Sequence, residues 1–200
     1  MDTQRTARRT TPADLHLATE IVTLAFAQDP LWSWALARPD GRIDHHRAFW
    51  RLFLEGALRY PASWITEGEE ATSVWIPPGG NEMTSEQEER LEGLALDYLG
   101  PPADMYCELL KRLESAHSCS EEHYYLSLLG THPDRRGQGI GMWLLKHDLE
   151  VIDTEHAPAY LESSNPANNL RYQGVGFEPV GEFSAPNDGP MVTTMWRTAR

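Results

Sequence analysis

A glycine-rich stretch at residues 133–141, Pro-Asp-Arg-Arg-Gly-Gln-Gly-Ile-Gly, has the residue types of a site for anionic oxygen. Glycine lets the backbone approach a ligand closely, and the unpaired N–H groups and dipole at a helix start favour phosphate. Arg135 and Arg136 place positive charge beside these glycines in an otherwise acidic chain. The stretch therefore predicts a phosphate-binding turn.

The elements on either side of this turn are predicted from their apolar patterns. Residues 124–131 are short, aromatic and aliphatic, which is typical of a buried strand. A helix is expected to begin near Gly139, because helical spacing follows in four apolar residues, Met142, Leu145, Leu149 and Ile152. The turn thus joins a strand to a helix.

Two common nucleotide-binding motifs do not fit this turn. A P-loop needs Gly-Lys-Ser/Thr at the helix start, and no such run occurs there. A dinucleotide fingerprint needs G-x-G-x-x-G, but its third glycine would fall on Met142, and the turn lies well past the middle of the chain. Both alternatives are excluded.

A second polar group follows the next predicted strand, residues 158–164. Asn165 is expected to be a helix N-cap with Pro166 at the first helical position. Asn165 and Tyr172 are seven residues apart, which is two helical turns, so both side chains should project from one helix face.

Together these motifs resemble those of the GNAT (GCN5-related) N-acetyltransferase family. Residues 136–141 match the R/Q-x-x-G-x-G/A pattern of its acyl-CoA-binding loop, and residues 165–177 match its Asn…Tyr…Gly-Phe element. Within the family, residues 131–141 and 160–164 are similar to the puromycin N-acetyltransferases. The resemblance implies an α/β fold with a mixed, mostly antiparallel central sheet, splayed at the cofactor cleft and flanked by helices.

The resemblance also implies acetyl-CoA as co-substrate and assigns the residues that would bind it. The backbone amides of the turn would hold the pyrophosphate of coenzyme A, namely those of Arg136, Gly137, Gln138, Gly139, Ile140 and Gly141. The end of the preceding strand would pair with the pantetheine arm through Leu129, Gly130 and Thr131. Asn165 would bond to the cofactor, or serve only as an N-cap. The Arg136 side chain either contacts phosphate or is a surface charge.

By the same resemblance, Tyr172 is the general acid at the thioester sulfur; the alternative is a half-buried packing tyrosine. An aliphatic amine must lose a proton before it attacks the acetyl carbonyl, and a strand N–H would stabilise the oxyanion that forms. Glu162, on the strand leading to Asn165, is the candidate base, with a plain surface carboxylate as the alternative. His123 is a second candidate for the base.

Aromatic residues near the first helices are candidates for an acceptor pocket. Asp29 and Pro30 are expected to end the first helix and open an aromatic loop that carries Trp32 and Trp34. These two are the predicted substrate-binding residues, while Trp50 and Tyr106 line the pocket or belong to the core. Metal chemistry is not expected, since the chain has no HExxH motif, Cys/His cluster or Asp-rich loop.

Composition limits the remaining possibilities. A chain of 200 residues fits one domain, residues 1–200, in which residues 84–116 form a helical insertion. The net charge of −13 argues against nucleic-acid and anionic-membrane partners, which need a basic face, and suits a cationic small molecule. The two cysteines, Cys107 and Cys119, are too few for a disulfide framework. The sequence has no run with the length of a membrane span and no signal-peptide core, so a cytoplasmic protein is expected. It is expected to be a monomer or a homodimer.

Other elements follow from caps and periodicity. A first helix should start at Thr11 with Leu17, Ile21 and Leu24 as its apolar stripe, and the residues before Thr11 suit a short edge strand. Further expected elements are a helix over 44–58, a hairpin of residues 63–66 and 71–76, and a final hairpin of residues 177–183 and 191–196.

The sequence therefore predicts an enzyme that moves an acetyl group from acetyl-CoA directly to a primary amine of a small molecule, such as an antibiotic. Two alternatives stay open. The acceptor is a protein lysine or N-terminus, which would suit a long acidic groove, or the chain is a CoA-binding regulatory domain without turnover.

Overall fold

Strands and helices alternate along the chain in the computed structural model, which describes residues 5–117 and 121–200. The strands are β1 (Ala7–Arg9), β2 (Trp64–Thr66), β3 (Ala71–Ile76), β4 (Tyr124–Thr131), β5 (Ala159–Ser163), β6 (Glu178–Ser184) and β7 (Met191–Arg197). The α-helices are α1 (Leu15–Phe26), α2 (Pro30–Ala35), α3 (His46–Ala57), α4 (Ser85–Leu99), α5 (Ala103–Ala116), α6 (Ile140–Asp153) and α7 (Asn169–Gln173). Single 3-10 turns, Pro12–Asp14, Pro133–Arg135 and Pro166–Asn168, precede α1, α6 and α7.

The strands form one sheet in the order β1-β2-β3-β4-β5-β7-β6. All neighbours are antiparallel except β4 and β5, which are parallel. The pairing of β4 with β5 ends at Leu126 and Leu161, although both strands continue beyond these residues. The two strands therefore separate toward their carboxyl ends, which confirms the predicted mixed, mostly antiparallel sheet with a splayed centre.

A β-bulge lies in β4 at the point where this separation begins. Val74 pairs with Leu128 and Trp75 with Leu126, so Ser127 is an extra residue in β4. Leu126 and Leu129 both pack in the hydrophobic cluster beside α6, although residues three apart in a regular strand face opposite sides. The bulge therefore changes which side chains of β4 face α6 after Ser127, where β4 and β5 separate.

The first helices depart from the predictions in two details. The buried face of α1 is formed by Ala18, Ile21 and Val22, whereas Leu17 and Leu24 are only half-buried. The expected aromatic loop after Asp29 is wrong, because residues 30–35 form α2. The Asp29 side chain caps this helix by accepting from the Leu31 and Trp32 amides at 3.0 and 3.2 Å.

The remaining predicted elements are confirmed, including the short edge strand, both hairpins and the helix after Asp44. The helical segment 84–116 is two helices that break at Gly100, where φ is +64°. Thr84 and Gln87 form a capping box at the start of α4, with hydrogen bonds of 3.0 and 3.2 Å. No helix within 5–117 and 121–200 is long and apolar enough to cross a membrane, and Cys119 lies outside the described residues.

Candidate active site

The glycine-rich turn presents free backbone donors in front of α6. Gly137 and Gly139 have φ of +77° and +71°, a left-handed conformation that favours glycine. The Arg136 amide donates to the Pro133 carbonyl at 3.1 Å, so the amides without a partner among the described residues begin at Gly137 and continue through residue 142. With the positive end of the α6 dipole behind them, these amides are donors of the kind that hold an anion, so the turn is a candidate anion-binding turn.

The arginine side chain in this turn has a structural partner. The Arg136 guanidinium donates to the Ala25 carbonyl in the last turn of α1 at 2.6 Å. It also opposes the burial-induced rise in the pKa of Asp29. Arg136 therefore ties the turn to α1, and its own amide is already paired.

The first turn of α6 lies tightly against the end of β4. A Cβ placed on Gly141 would be 2.6 Å from Thr131 Oγ1, which leaves no room for a side chain. This close approach sets the candidate anion-binding turn directly at the carboxyl end of β4, beside Thr131. The free edge of β4 and the free amides therefore form one continuous surface.

Asn165 and Tyr172 both line the opening between β4 and β5, although one regular helix does not connect them. A 3-10 turn at Pro166–Asn168 precedes α7, so the predicted spacing of two α-helical turns does not apply. The Asn165 side chain caps this turn by accepting from the Ala167 amide at 3.1 Å. Its amide nitrogen remains available to a ligand while the oxygen serves as a cap.

The Tyr172 side chain is packed against the Phe177 ring, with the ring centroids 6.3 Å apart. Burial and the negative charge of Asp29 raise the pKa of Tyr172 to about 12. The phenol therefore keeps its proton across the physiological range. A protonated phenol on the cleft wall is a hydrogen-bond donor to an anion that forms there.

A cavity of about 760 Å³ extends from this opening toward α3, α4 and α5. Glu162 lines it, and one of its carboxylate oxygens, Oε1, is buried without a hydrogen-bond partner among the described residues. Burial raises the pKa of Glu162 to about 8, with Tyr125 and Tyr160 opposing the shift through hydrogen bonds. Such a carboxyl exchanges a proton near neutral pH, as a general base must.

A second buried carboxyl, which sequence reasoning missed, lines the same cavity. Burial raises the pKa of Glu82 to about 7, and the Ser127 hydroxyl opposes that shift. The negative charge of Glu82 also contributes to the raised pKa of Glu162, so the two carboxyls are electrostatically coupled. Glu82 follows the turn after β3 and belongs to no motif, so no local signal could have identified it.

Two histidines form a hydrogen-bonded pair in the cavity wall. His123 Nδ1 donates to the Glu121 carbonyl at 2.7 Å, and a hydrogen bond of 2.8 Å joins His123 Nε2 to His117 Nε2. The His117 ring stacks on Tyr160 at 4.6 Å, and burial lowers the pKa of His117 to about 4. His117 is therefore neutral at pH 7, and the pair reaches from the neighbourhood of Glu162 to the exposed Glu121.

The two predicted substrate-binding tryptophans lie in different places. Trp32 lines the cavity and meets Trp50 edge to face at 5.0 Å. Trp34 does not line it; its ring packs against Gly189 in the connection between β6 and β7. The prediction for Trp34 is corrected because residues 32 and 34 lie on a helix, where two positions rotate by about 200°.

No family model matches the sequence. Solved structures with the same fold include a histone acetyltransferase HPA2 and related acetyltransferase from Corynebacterium glutamicum, at 21% identity and a TM-score of 0.67 over 98% of this chain and 97% of that chain. A polyamine N-acetyltransferase from Drosophila melanogaster, which forms N-acetylagmatine, has 18% identity and a TM-score of 0.65 over 98% and 100%. Arylalkylamine N-acetyltransferase 2 from Aedes aegypti has 13% identity and a TM-score of 0.67 over 99% and 100%. The chain thus has the GNAT fold.

Proposed function

We propose that this protein is an acetyl-CoA-dependent N-acetyltransferase whose acceptor is a primary amine of a small molecule. The observation that carries the proposal is the opening between β4 and β5. Glu162 and Tyr172 lie on its walls, and the free amides after Arg136 lie at its end. The acetyltransferases that share the fold act on amines according to their names, which supports the same reaction class.

The described residues fit coenzyme A in chemical type. The amides of 137–141, in front of a helix N-terminus, would hold the pyrophosphate. The unpaired edge of β4 at Leu129, Gly130 and Thr131 would pair with the amides of the pantetheine arm, as an added strand does. When bound, acetyl-CoA supplies an acetyl thioester, whose C–S bond breaks as the amine nitrogen forms the new amide bond.

Residues of this chain then accept one proton, donate another and stabilise the negative charge that develops on the carbonyl oxygen. Glu162 accepts a proton from the ammonium, directly or through water, because this residue lines the cavity and its pKa of about 8 suits the transfer. The bulge at Ser127 leaves backbone groups outside the β3–β4 ladder, where an N–H stabilises negative charge on the carbonyl oxygen. Tyr172 donates its proton to the departing sulfur, and the second proton, which the nitrogen loses as the amide forms, returns to the Tyr172 oxygen through water.

The cavity extends inward toward α3, α4 and α5, which supports a small amine over a protein lysine or N-terminus. The similarity of residues 131–141 to puromycin N-acetyltransferases makes an antibiotic amine one acceptor to test. The aromatic wall of Trp32 and Trp50 would suit a flat ring or a cation.

Release of free thiol from acetyl-CoA, measured with a panel of amines that includes puromycin, an arylalkylamine and a polyamine, tests the proposal. We expect turnover with at least one small amine and none with a lysine-containing peptide. Binding of CoA without thiol release for any amine would favour the regulatory domain instead. Turnover confined to the peptide would favour protein acetylation.

A further inference from the structure

On the basis of the proposed function, we infer that Glu82 and Glu162 form a coupled pair that together holds the proton released by the acceptor ammonium. The ammonium N–H bond breaks and leaves its electron pair on nitrogen, while a new O–H bond forms on Glu162. Glu82 does not touch the substrate in this step. Its carboxylate acts through Glu162, because a negative charge beside Glu162 favours the arrival of the proton there.

Glu82 interacts with both strands at the point where β4 and β5 separate. The pairing of these strands ends at Leu126 and Leu161, so Ser127 and Glu162 are the first residues beyond it. The Ser127 hydroxyl opposes the rise in the pKa of Glu82, and the charge of Glu82 contributes to the raised pKa of Glu162. Glu82, Ser127 and Glu162 all line the cavity. Glu82 therefore reaches both sides of the opening in which the proposed reaction takes place.

The backbone that carries Glu82 is fixed against the end of α3. The Arg59 guanidinium donates to the Asn81 carbonyl at 2.7 Å, and the Tyr60 hydroxyl accepts from the Asn81 amide at 3.0 Å. A Cβ on Gly56 would overlap the Glu82 carbonyl, so this close approach to α3 requires glycine at residue 56. The position of Glu82 is therefore set by contacts that its carboxyl group does not make.

The carboxyl group of Glu82 has no cationic partner among the described residues. It forms no ion pair there, and neither does Lys111, the one lysine in the cavity lining. Burial also raises the pKa of Cys107 on the same helix as Lys111, so the thiol is neutral. A buried carboxyl without a cation is costly, and a purely structural role would be filled better by an apolar side chain. The unbalanced charge therefore points to a role in proton transfer.

The other titratable side chains around the pair keep their charge state near neutral pH. Tyr106 of α5 and Tyr125 of β4 both interact with Glu82, and burial raises the pKa of each phenol well above its usual value. Burial lowers the pKa of His117 to about 4, so this ring is neutral as well. Glu82 and Glu162 exchange protons in the same range, near pH 7 to 8, and their titrations are coupled.

This coupling makes Glu162 a stronger base. When both carboxyls are ionised, the first proton that arrives relieves the repulsion between them, so the pair holds it more tightly than Glu162 alone would. The proton taken from the ammonium then leaves the pair for water before the next turnover.

The substitution Glu82→Gln keeps the size of the side chain and removes its charge. We expect the limb of the kcat/KM profile near pH 8 to move to lower pH, because Glu162 loses the neighbour that raises its pKa. The plateau should fall roughly tenfold, which is less than in Glu162→Gln, because a weaker base remains. The matched control Glu92→Gln, at an exposed glutamate that also lines the cavity, should change neither the limb nor the plateau.

The double variant Glu82→Gln/Glu162→Gln tests whether the two carboxyls act as one unit. Its kcat/KM should equal that of Glu162→Gln alone, because Glu82 acts only through Glu162. A further loss in the double variant would show that Glu82 acts independently and would overturn the inference.

Nuclear magnetic resonance of the glutamate carboxyl carbons follows the same titrations without turnover. The wild-type protein should show two carboxyls that titrate near pH 7 to 8, and Glu82→Gln should show one, at lower pH than Glu162 in the wild type.

The outcomes distinguish this inference from the proposed function. Amine acetylation with an unmoved limb in Glu82→Gln would overturn the inference and leave the proposed function standing. If no amine is acetylated, the proposed function fails and the resonance titration decides the pairing. A Glu162 titration that moves to lower pH in Glu82→Gln then supports the coupled pair, and one that stays in place refutes it.

Discussion

The substitution Glu162→Gln tests whether a buried carboxylate is the base of the proposed reaction. Glutamine keeps the size of the side chain but cannot accept a proton from the ammonium. General-base catalysis contributes about 10²–10⁴ in rate. We therefore expect kcat/KM to fall by about that factor, which corresponds to about 3–5 kcal/mol in transition-state stabilisation.

The same substitution should make the empty protein more stable at high pH. The pKa of Glu162 rises from 4.5 to about 8 on folding, so the folded state binds this proton more tightly than the unfolded state does. The stability that the protonated carboxyl contributes is complete below about pH 4.5 and is lost as the pH rises through about 8. The loss is at most about 5 kcal/mol, at about 1.4 kcal/mol for each tenfold change in the proton's binding constant. Glutamine does not titrate and avoids this loss.

Two measurements check these expectations together. The pH profile of kcat/KM should lose a limb with an apparent pKa near 8 in the variant, while the ionisation of the acceptor amine is common to both proteins. Urea unfolding should give similar stabilities at about pH 4 and a more stable variant at about pH 9. The control Glu155→Gln, at an exposed glutamate that accepts from the Tyr124 hydroxyl at 2.7 Å, should change neither the rate nor its profile. A Glu162→Gln protein that keeps the wild-type rate and limb would show that the base lies elsewhere.

Three further substitutions test other parts of the site. Tyr172→Phe should lower kcat by about 10²-fold or more with little change in the dissociation constant for CoA, and an unchanged kcat would remove the general-acid role. Gly139→Ala should weaken CoA binding in a calorimetric titration, because an alanine at φ of +71° is strained by about 1–2 kcal/mol. The control Gly93→Ala on α4 should not weaken CoA binding, because φ is not positive there and the added Cβ also meets open space. Asp29→Ala removes the α2 cap and the acceptor of the Ser164 hydroxyl at 2.8 Å, so urea unfolding should show a loss of about 1–3 kcal/mol that is not additive with Ser164→Ala.

The order of strands and helices could be predicted because each element carries its own periodicity or cap. The loop predicted after Asp29 shows how that reasoning fails. An Asp followed by Pro ends one helix and equally well begins the next, as an N-cap followed by proline at the first helical position. The structure has both, and Asp29 caps α2.

The buried face of α1 could not be predicted from residue size. The large Leu17 and Leu24 were expected to face the core, but α1 packs on β4 at Gly130. A Cβ there would lie 3.3 Å from Ala25 Cβ and 3.5 Å from Val22 Cα. Such a close approach of helix and strand selects small residues for the contact, and only the tertiary structure reveals it.

Some residues of the site could be predicted from local sequence motifs, and others are brought to the site only by the tertiary structure. The turn at residues 136–141 and the Asn165–Tyr172 element lie in short motifs, so the local sequence is enough to indicate them. Glu82, Ser127 and His117 come from a loop, a bulge and the end of a helix, and packing alone brings them to one cavity.

The acidic groups of this cavity are costly to the fold. Glu82 and Glu162 are coupled, and burial raises the pKa of both, so ionising them in the empty cavity destabilises the folded chain. Glu162 additionally holds an unpaired oxygen. A chain selected for stability alone would replace both by apolar residues of similar volume, since even paired buried charges rarely outperform such replacements. A cation that binds between Glu82 and Glu162 offsets both of these costs. It donates to the unpaired oxygen of Glu162 and lowers the pKa of both carboxyls. The stability of the complex relative to the empty protein should therefore increase as the pH rises through about 7 to 8, until the acceptor amine itself loses its charge.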